Sequence, residues 1–193
     1  MLPRIGASKL VSTSIWIVLV ASIVSLLDGG WLADLLALQP ERVFHGHVWR
    51  VVTWPIIAGG PMGIVATCLS IYKFGGELAP RWGERRLRRF MLHLVLAAGV
   101  LTTLGALLSD HAWNMSRTGG WAISDALVIA WARQYPTATL RLYGLIELHG
   151  KQLIWFTAGV TGLIAIATSP FMMMPEIVAC LLAAYYPRSW LAR

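Results

Sequence analysis

From Leu10 to Leu27 the chain runs for 18 residues without a charged side chain. A run of that length and character reads as a helix that crosses a bilayer. Arg4 and Lys9 precede it, as they would in a signal peptide. The run is longer than a usual signal-peptide core, however, and the Asp28-Gly29-Gly30 that follows offers no small-x-small cleavage site, so it reads as a retained anchor.

The rest of the chain repeats the pattern. Apolar stretches separated by loop punctuation predict helices at about 10–27, 54–78, 89–109, 120–135, 148–168 and 171–187. Of 193 residues, 57% are hydrophobic and only 13% charged, which is too oily for a water-soluble globule. A disordered tail, a disulfide-stapled secreted domain and an ordinary soluble enzyme are thereby excluded. Cys68 and Cys180 lie inside apolar runs without metal or redox spacing and read as small buried hydrophobes. With no internal repeat, low-complexity tract or linker, the expectation is an all-α membrane protein, a single domain over residues 1–193.

The formal net charge of +7 raises nucleic-acid binding until the charges are located. If the N-terminus is cytoplasmic, 13 of the 16 basic residues fall on inner segments, and only Arg42, Arg50 and Arg117 fall outside. The positive-inside rule then places both termini in the cytoplasm, and the charge is explained by insertion rather than by nucleic acid. Arg81, Arg85, Arg86, Arg88 and Arg89 form a cluster suited to anionic lipid headgroups. Trp31, Trp49, Trp54, Trp113 and Trp121 sit near the outer boundary, and Trp82, Trp131, Tyr135, Tyr185, Tyr186 and Trp190 near the inner one, as two aromatic belts. Two spans are short. With Pro175 in its first turn beside Glu176, the sixth helix would rise only about 18 Å, and the fourth about 24 Å, against a hydrocarbon core of roughly 30 Å. Bilayer thinning, tilted neighbours or burial in the bundle accommodate such helices.

Three segments then stand in a telling order: Trp49-Arg50-Val51-Val52-Thr53 at the end of a long first loop; Ile71-Tyr72-Lys73-Phe74-Gly75-Gly76-Glu77-Leu78 leading into a basic turn; and Trp121 to Pro136 followed by Leu140-Arg141-Leu142-Tyr143-Gly144-Leu145. Together, over about residues 45–187, they resemble the rhomboid and derlin superfamily of six-helix membrane proteins. The resemblance implies a six-transmembrane-helix rhomboid-like bundle. Rhomboid proteases cut with a serine from a Gly-x-Ser-Gly turn on helix four and a histidine on helix six that takes its proton. Here Trp121 stands where the serine would be, in Gly119-Gly120-Trp121-Ala122, and Ala184 stands where the histidine would be. No histidine follows His149, and Gly59 to Thr67 lacks the helix-two histidine and asparagine. The chain therefore resembles a pseudoprotease, with no catalytic residues and no cofactor.

Other assignments are weaker. Ser124 in helix four has His93 and His149 on the wrong side of the bilayer, and Ser116 with His45, His47 or His111 would make a protease with displaced groups, but loops give no reason for a dry, preorganised site. His45-x-His47 reads as a solvated loop pair rather than a metal site. Ala122, Ala126 and Ala130 recur every four residues on helix four, and Ala179 and Ala183 answer on helix six, which predicts close packing of the two. Asp125 is costly in a membrane helix and is expected to meet Ser124, Arg117 or a polar group on a client helix. Glu77 and Glu147 read as ordinary interfacial charges.

The functional expectation is a binding scaffold. Trp49, Arg50, Trp121, Ala122, Ser124, Asp125, Ala126, Ala179, Ala183 and Ala184 carry its fold motif and its contacts with transmembrane segments of client or partner proteins. The derlin-like pattern implies membrane-protein quality control or dislocation with local bilayer thinning, and a structural or assembly subunit of a larger complex is the rival. Because the chain stops at Arg193, directly after the sixth helix, it is expected to suit a prokaryotic cytoplasmic membrane.

Overall fold

Ser8 accepts a hydrogen bond from the Val11 backbone and opens α1, Lys9–Leu27. At its other end Asp28 takes the backbone N–H groups of Gly30 and Leu32, while Gly29 and Gly30 turn the chain with φ of 72° and 91°; a side chain at either position would be strained. The computed structural model describes residues 8–142 and 146–186. Arg4, Tyr143 to Leu145, Arg188, Trp190 and Arg193 lie outside the described residues, as do the side chains of Arg141 and Glu147.

The long first loop is itself folded, with α2 at Trp31–Leu36, α3 at Pro40–Phe44, α4 at Arg50–Thr53 and a 3-10 turn at Trp54–Ile56. A two-residue bridge ties it to the far side of the bundle, Leu38 and Arg117 exchanging both backbone hydrogen bonds at 2.9 Å. The second predicted helix needs correction. It does not start at residue 54: Arg50–Ile56 and Gly60–Trp82 meet at 93°. Pro55, the positive φ of Gly60 and Pro61 supply the break. Beyond it come α5, Gly60–Ser70, a wide π turn at Ile71–Gly75 and α6, Gly76–Trp82, which runs on through Pro80.

α7, Glu84–Gly105, begins five residues before the predicted start and ends in a 3-10 turn at Ala106–Leu108. After α8, Asp110–Trp113, comes α9, Gly120–Gln134, close to its predicted bounds. The next element was not foreseen: β1, Thr139–Leu142, pairs antiparallel with β2, Ile146–His149, where Thr139 faces His149. Alternation of polar and apolar residues over both segments is a strand signal, in a stretch that the predicted helices leave as a turn up to residue 148. α10, Gly150–Ala167, and α11, Met174–Tyr185, complete the chain, with Pro175 in the first turn of α11.

α9 is the centre. Most of its residues are buried, and it packs against α5, α10 and α11, while α7 packs on α11 and α4. Trp54, Trp82 and Trp131 belong to this core, each at most 3% exposed, rather than to aromatic belts. Trp31, Trp121 and Tyr185 remain on the surface, and the apolar outer faces of α1 and α10 are open, with Leu27, Trp155 and Ile166 more than three-quarters exposed. Such faces are covered by lipid. Among the described residues, α1, Glu84–Leu108 and α10 are long and apolar enough to cross a membrane, and the bent pair is a fourth if taken as one span. The protein is thus a predominantly helical membrane protein. α9 and α11, of 15 and 12 residues, are too short to meet that criterion alone.

Candidate functional site

The turn into α9 is filled. A β-carbon on Gly119 would lie 2.2 Å from the Trp54 ring, and one on Gly120 would lie 2.5 Å from Thr67 Oγ1 and 2.8 Å from Ala58. Only glycine lets the turn approach the Trp54–Ala58 elbow this closely, and the Gly119 N–H donates to the Trp54 carbonyl at 3.0 Å. Trp121, at the position of a nucleophile, points outward and is 46% exposed. The Ser124 hydroxyl is buried and donates to the Gly120 carbonyl at 2.9 Å, four residues back in its own helix.

Ala122, Ala126 and Ala130 of α9 and Ala179 and Ala183 of α11 are all buried to within 2% of complete, and the two helices pack against each other. Ala184, one residue on, is half-buried and packs at the edge of the same core.

On the other flank of α9 a cleft of about 430 Å³ opens between α9, α10 and α11, lined by Trp121, Phe156, Val160 and Ile164 and by the carboxyl groups of Asp125 and Glu176. Asp125 Oδ2 accepts the Thr161 hydroxyl at 3.0 Å, with Cys180 Sγ at 4.0 Å. Glu176 is 8% exposed, and its Oε2 is buried without a hydrogen-bond partner. The anticipated pairing of Asp125 with Arg117 or Ser124 does not form. Arg117 instead donates to the carbonyl of Phe171 at 2.9 Å. Burial pulls the Arg117 guanidinium below its ordinary range, and the Glu176 charge nearby opposes this.

The far end of α9 is a closed polar knot. Glu77 binds Lys73 at 2.6 Å and accepts the Trp131 indole, so it is a joint between α6 and α9 as well as an end charge. Trp82 donates to Gln134 at 3.2 Å, and the Arg81 guanidinium lies over the Tyr135 ring at 5.5 Å. Arg133 donates to the carbonyls of Ala183 and Tyr186 at 2.8 and 3.0 Å, capping α11 from α9.

The first-loop motif is an internal strut. Arg50 is 2% exposed and donates to the Ala37 carbonyl at 2.9 Å, while the Trp49 indole reaches the Leu35 carbonyl at 3.4 Å. Arg81, Arg85, Arg88 and Arg89 are exposed and Arg86 half-buried around the α6–α7 turn. Arg88 also lines an apolar groove of about 240 Å³ beside Leu10, Ile17 and Leu92. Sequence reading missed Thr161, Glu176 and Arg133 as partners. No local signal pointed to them, since each is a single polar residue on a different helix.

Comparison with known proteins finds that the sequence is similar to membrane proteins of eukaryotes. The family described as eukaryotic integral membrane protein (DUF1751) matches residues 9–190. Derlin-1 of Arabidopsis thaliana is 27% identical over 153 residues, 78% of this chain and 54% of that protein. Derlin-1 of Oryza sativa subsp. japonica is 26% identical over 127 residues, 65% of this chain and 51% of that protein. The chain spans about half the length of these relatives, and the derlin-like resemblance read from its motifs is borne out. The expected prokaryotic membrane is overturned, because the family is eukaryotic and both relatives are plant proteins. The position of the last residue carried no information about compartment, since the same inside-positive charge pattern orients helices in either kind of membrane.

Proposed function

We propose a function from the premise that this chain belongs to the family of eukaryotic integral membrane proteins (DUF1751): it is a catalytically inert, derlin-like scaffold that binds transmembrane segments of other proteins sideways. α1, α5 with α6, α7, α9, α10 and α11 make six crossings with both termini cytoplasmic, and the chain is one domain. The observation that carries the reading is the asymmetry around α9. Gly119 and Gly120 pack the turn against Trp54 and Ala58, the position of a rhomboid nucleophile carries the exposed indole of Trp121, and a cleft opens on the flank of the same helix. An indole offers no nucleophilic oxygen, and the cleft leaves room for a side chain from a neighbouring helix.

Relatives named Derlin-1 support a place in membrane-protein quality control. Regular helix over α9 and α11 rises about 22 and 18 Å, so a bilayer that meets both ends must thin or be screened by the longer α1, α7 and α10. Thinning lowers the cost of drawing a client segment partly out of hydrocarbon. The arginines at the α6–α7 turn hold that side of the protein to anionic headgroups.

Mild-detergent affinity purification tests the reading. Many membrane proteins recovered below stoichiometry, and lost when Val160→Trp fills the cleft, support client binding. One partner recovered in equal amount, whatever residue 160 is, points instead to an assembly subunit. Turnover of transmembrane substrates in liposomes above a heat-inactivated control would show that the chain is a protease after all.

A further inference from the structure

The lateral cleft is apolar except at one place. Phe156, Val160 and Ile164 form its α10 wall and Trp121 its α9 edge, all of them substantially exposed. Into this space Asp125 and Glu176 bring two carboxyl groups from two different helices. A carboxyl oxygen without a donor is expensive where no water replaces it, yet Glu176 Oε2 is buried and unpartnered. The nearby cation does not settle the account, because the Arg117 guanidinium is turned to the Phe171 carbonyl. Asp125 Oδ2 accepts the Thr161 hydroxyl and the weaker Cys180 thiol.

We infer that the cleft between α9, α10 and α11 receives a basic side chain, lysine or arginine, borne by the transmembrane segment of a client; this rests on the lateral-binding reading above. The chemistry selects that occupant. A purely apolar side chain would fill the volume and leave Glu176 unpaired, and an acidic one would add like charge. Lysine and arginine bring three or five donors on an apolar stem, and the stem suits the Phe156–Ile164 wall as the head reaches the carboxyl groups. The client gains as well, because an unpaired basic group in hydrocarbon costs several kcal/mol on a lone helix. Segments that carry such a group without their own partner are therefore held in preference to segments that are apolar throughout.

The probe is a pair of 21-residue Leu/Ala transmembrane peptides in phosphatidylcholine vesicles, identical except for lysine or leucine at the depth of the cleft. Binding is read by photo-crosslinking from a benzophenone amino acid at position 163 of the full chain, an exposed α10 position beside the cleft and outside its lining. The expected result is that the lysine peptide binds about tenfold more tightly, the scale of interhelical polar contacts in bilayers. Combining Asp125→Asn with Glu176→Gln should remove the preference, bringing the two peptides to the same affinity. Should the double variant fold poorly by thermal melting, Glu176→Gln alone is expected to cut the preference by about threefold. Equal binding of the two peptides to the wild type overturns the inference and leaves lateral binding standing. A lysine preference that survives both substitutions also overturns it. If neither peptide crosslinks, and position 163 yields only a lipid adduct or a dimer of this chain, lateral client binding fails and the inference with it.

Discussion

The two ends of α9 handle polar groups in opposite ways. At its last turns Trp131, Arg133 and Gln134 reach Glu77, the end of α11 and Trp82 respectively, so that α6, α9 and α11 are locked by hydrogen bonds among side chains and carbonyls. At its first turns the backbone is as tightly held, by glycines against Trp54 and Ala58, but the carboxyl groups facing sideways are only partly satisfied. A closed end fixes the helix, and an open end leaves acceptors for another molecule. The same 15-residue helix can therefore be both the rigid axis of the fold and one wall of a binding cleft.

The sharpest way to break the comparison is at the glycine turn. Gly119→Ala drives a methyl into the Trp54 ring and should cost about 3 kcal/mol, the upper part of the overpacking range; thermal unfolding in detergent should show a melting temperature well below wild type. Ala183→Leu wedges the seam between α9 and α11, where Ala183 is 1% exposed. A loss of about 2 kcal/mol is expected, since lipid as apolar as leucine offers no compensating drive. Melting the half-buried neighbour variant Ala184→Leu alongside should give a clearly smaller loss. Arg133→Gln tests the closed end by uncapping two carbonyls at the finish of α11, with an expected cost of about 1.5 kcal/mol; faster hydrogen exchange confined to the last turn of α11 would mark it. Glu176→Gln sharpens the open end. It is nearly isosteric and breaks no hydrogen bond at Oε2, so the stability change should stay within about 0.5 kcal/mol. A melting temperature lowered as far as that of Arg133→Gln would mean that the open end is structurally paired after all.

Legibility in the sequence followed the range of the interaction. The charge-free run predicted α1 to within a residue, and Pro175 placed the first turn of α11, because hydropathy and a missing N–H act locally. The second helix was misjudged for a local reason too. Pro55, Gly60 and Pro61 are strong breakers, and the continuous apolar run hid them. The hairpin at 139–149 was missed because most of it was read as a turn between helices, although its residues alternate with a period of two. Trp54 was assigned to an interfacial belt on its position along the chain, although Gly99 and Gly119 leave room for it in the core. Of the candidate site, Asp125 was singled out by the cost of a carboxylate in a membrane helix. Its partner was not, because Thr161 lies 36 residues away and one hydroxyl among many gives no signal.

What the sequence determined by itself is the solvent of this protein and its kinship. Hydropathy over runs of about 20 residues is a property summed along the chain, and no tertiary contact reverses it. The Trp49-Arg50 step and the helix-four segment carried the derlin-like pattern in the same way, as order along a line. The tertiary structure decided which side of α9 is seam and which is cleft. Ala122 and Asp125 are three residues apart on one helix turn, and their fates depend on what α10 and α11 bring to each face: alanines at one, and Thr161, Glu176 and an opening at the other. Those neighbours come from 36 or more residues further on, and their meeting is set by packing of whole helices, which no local pattern encodes.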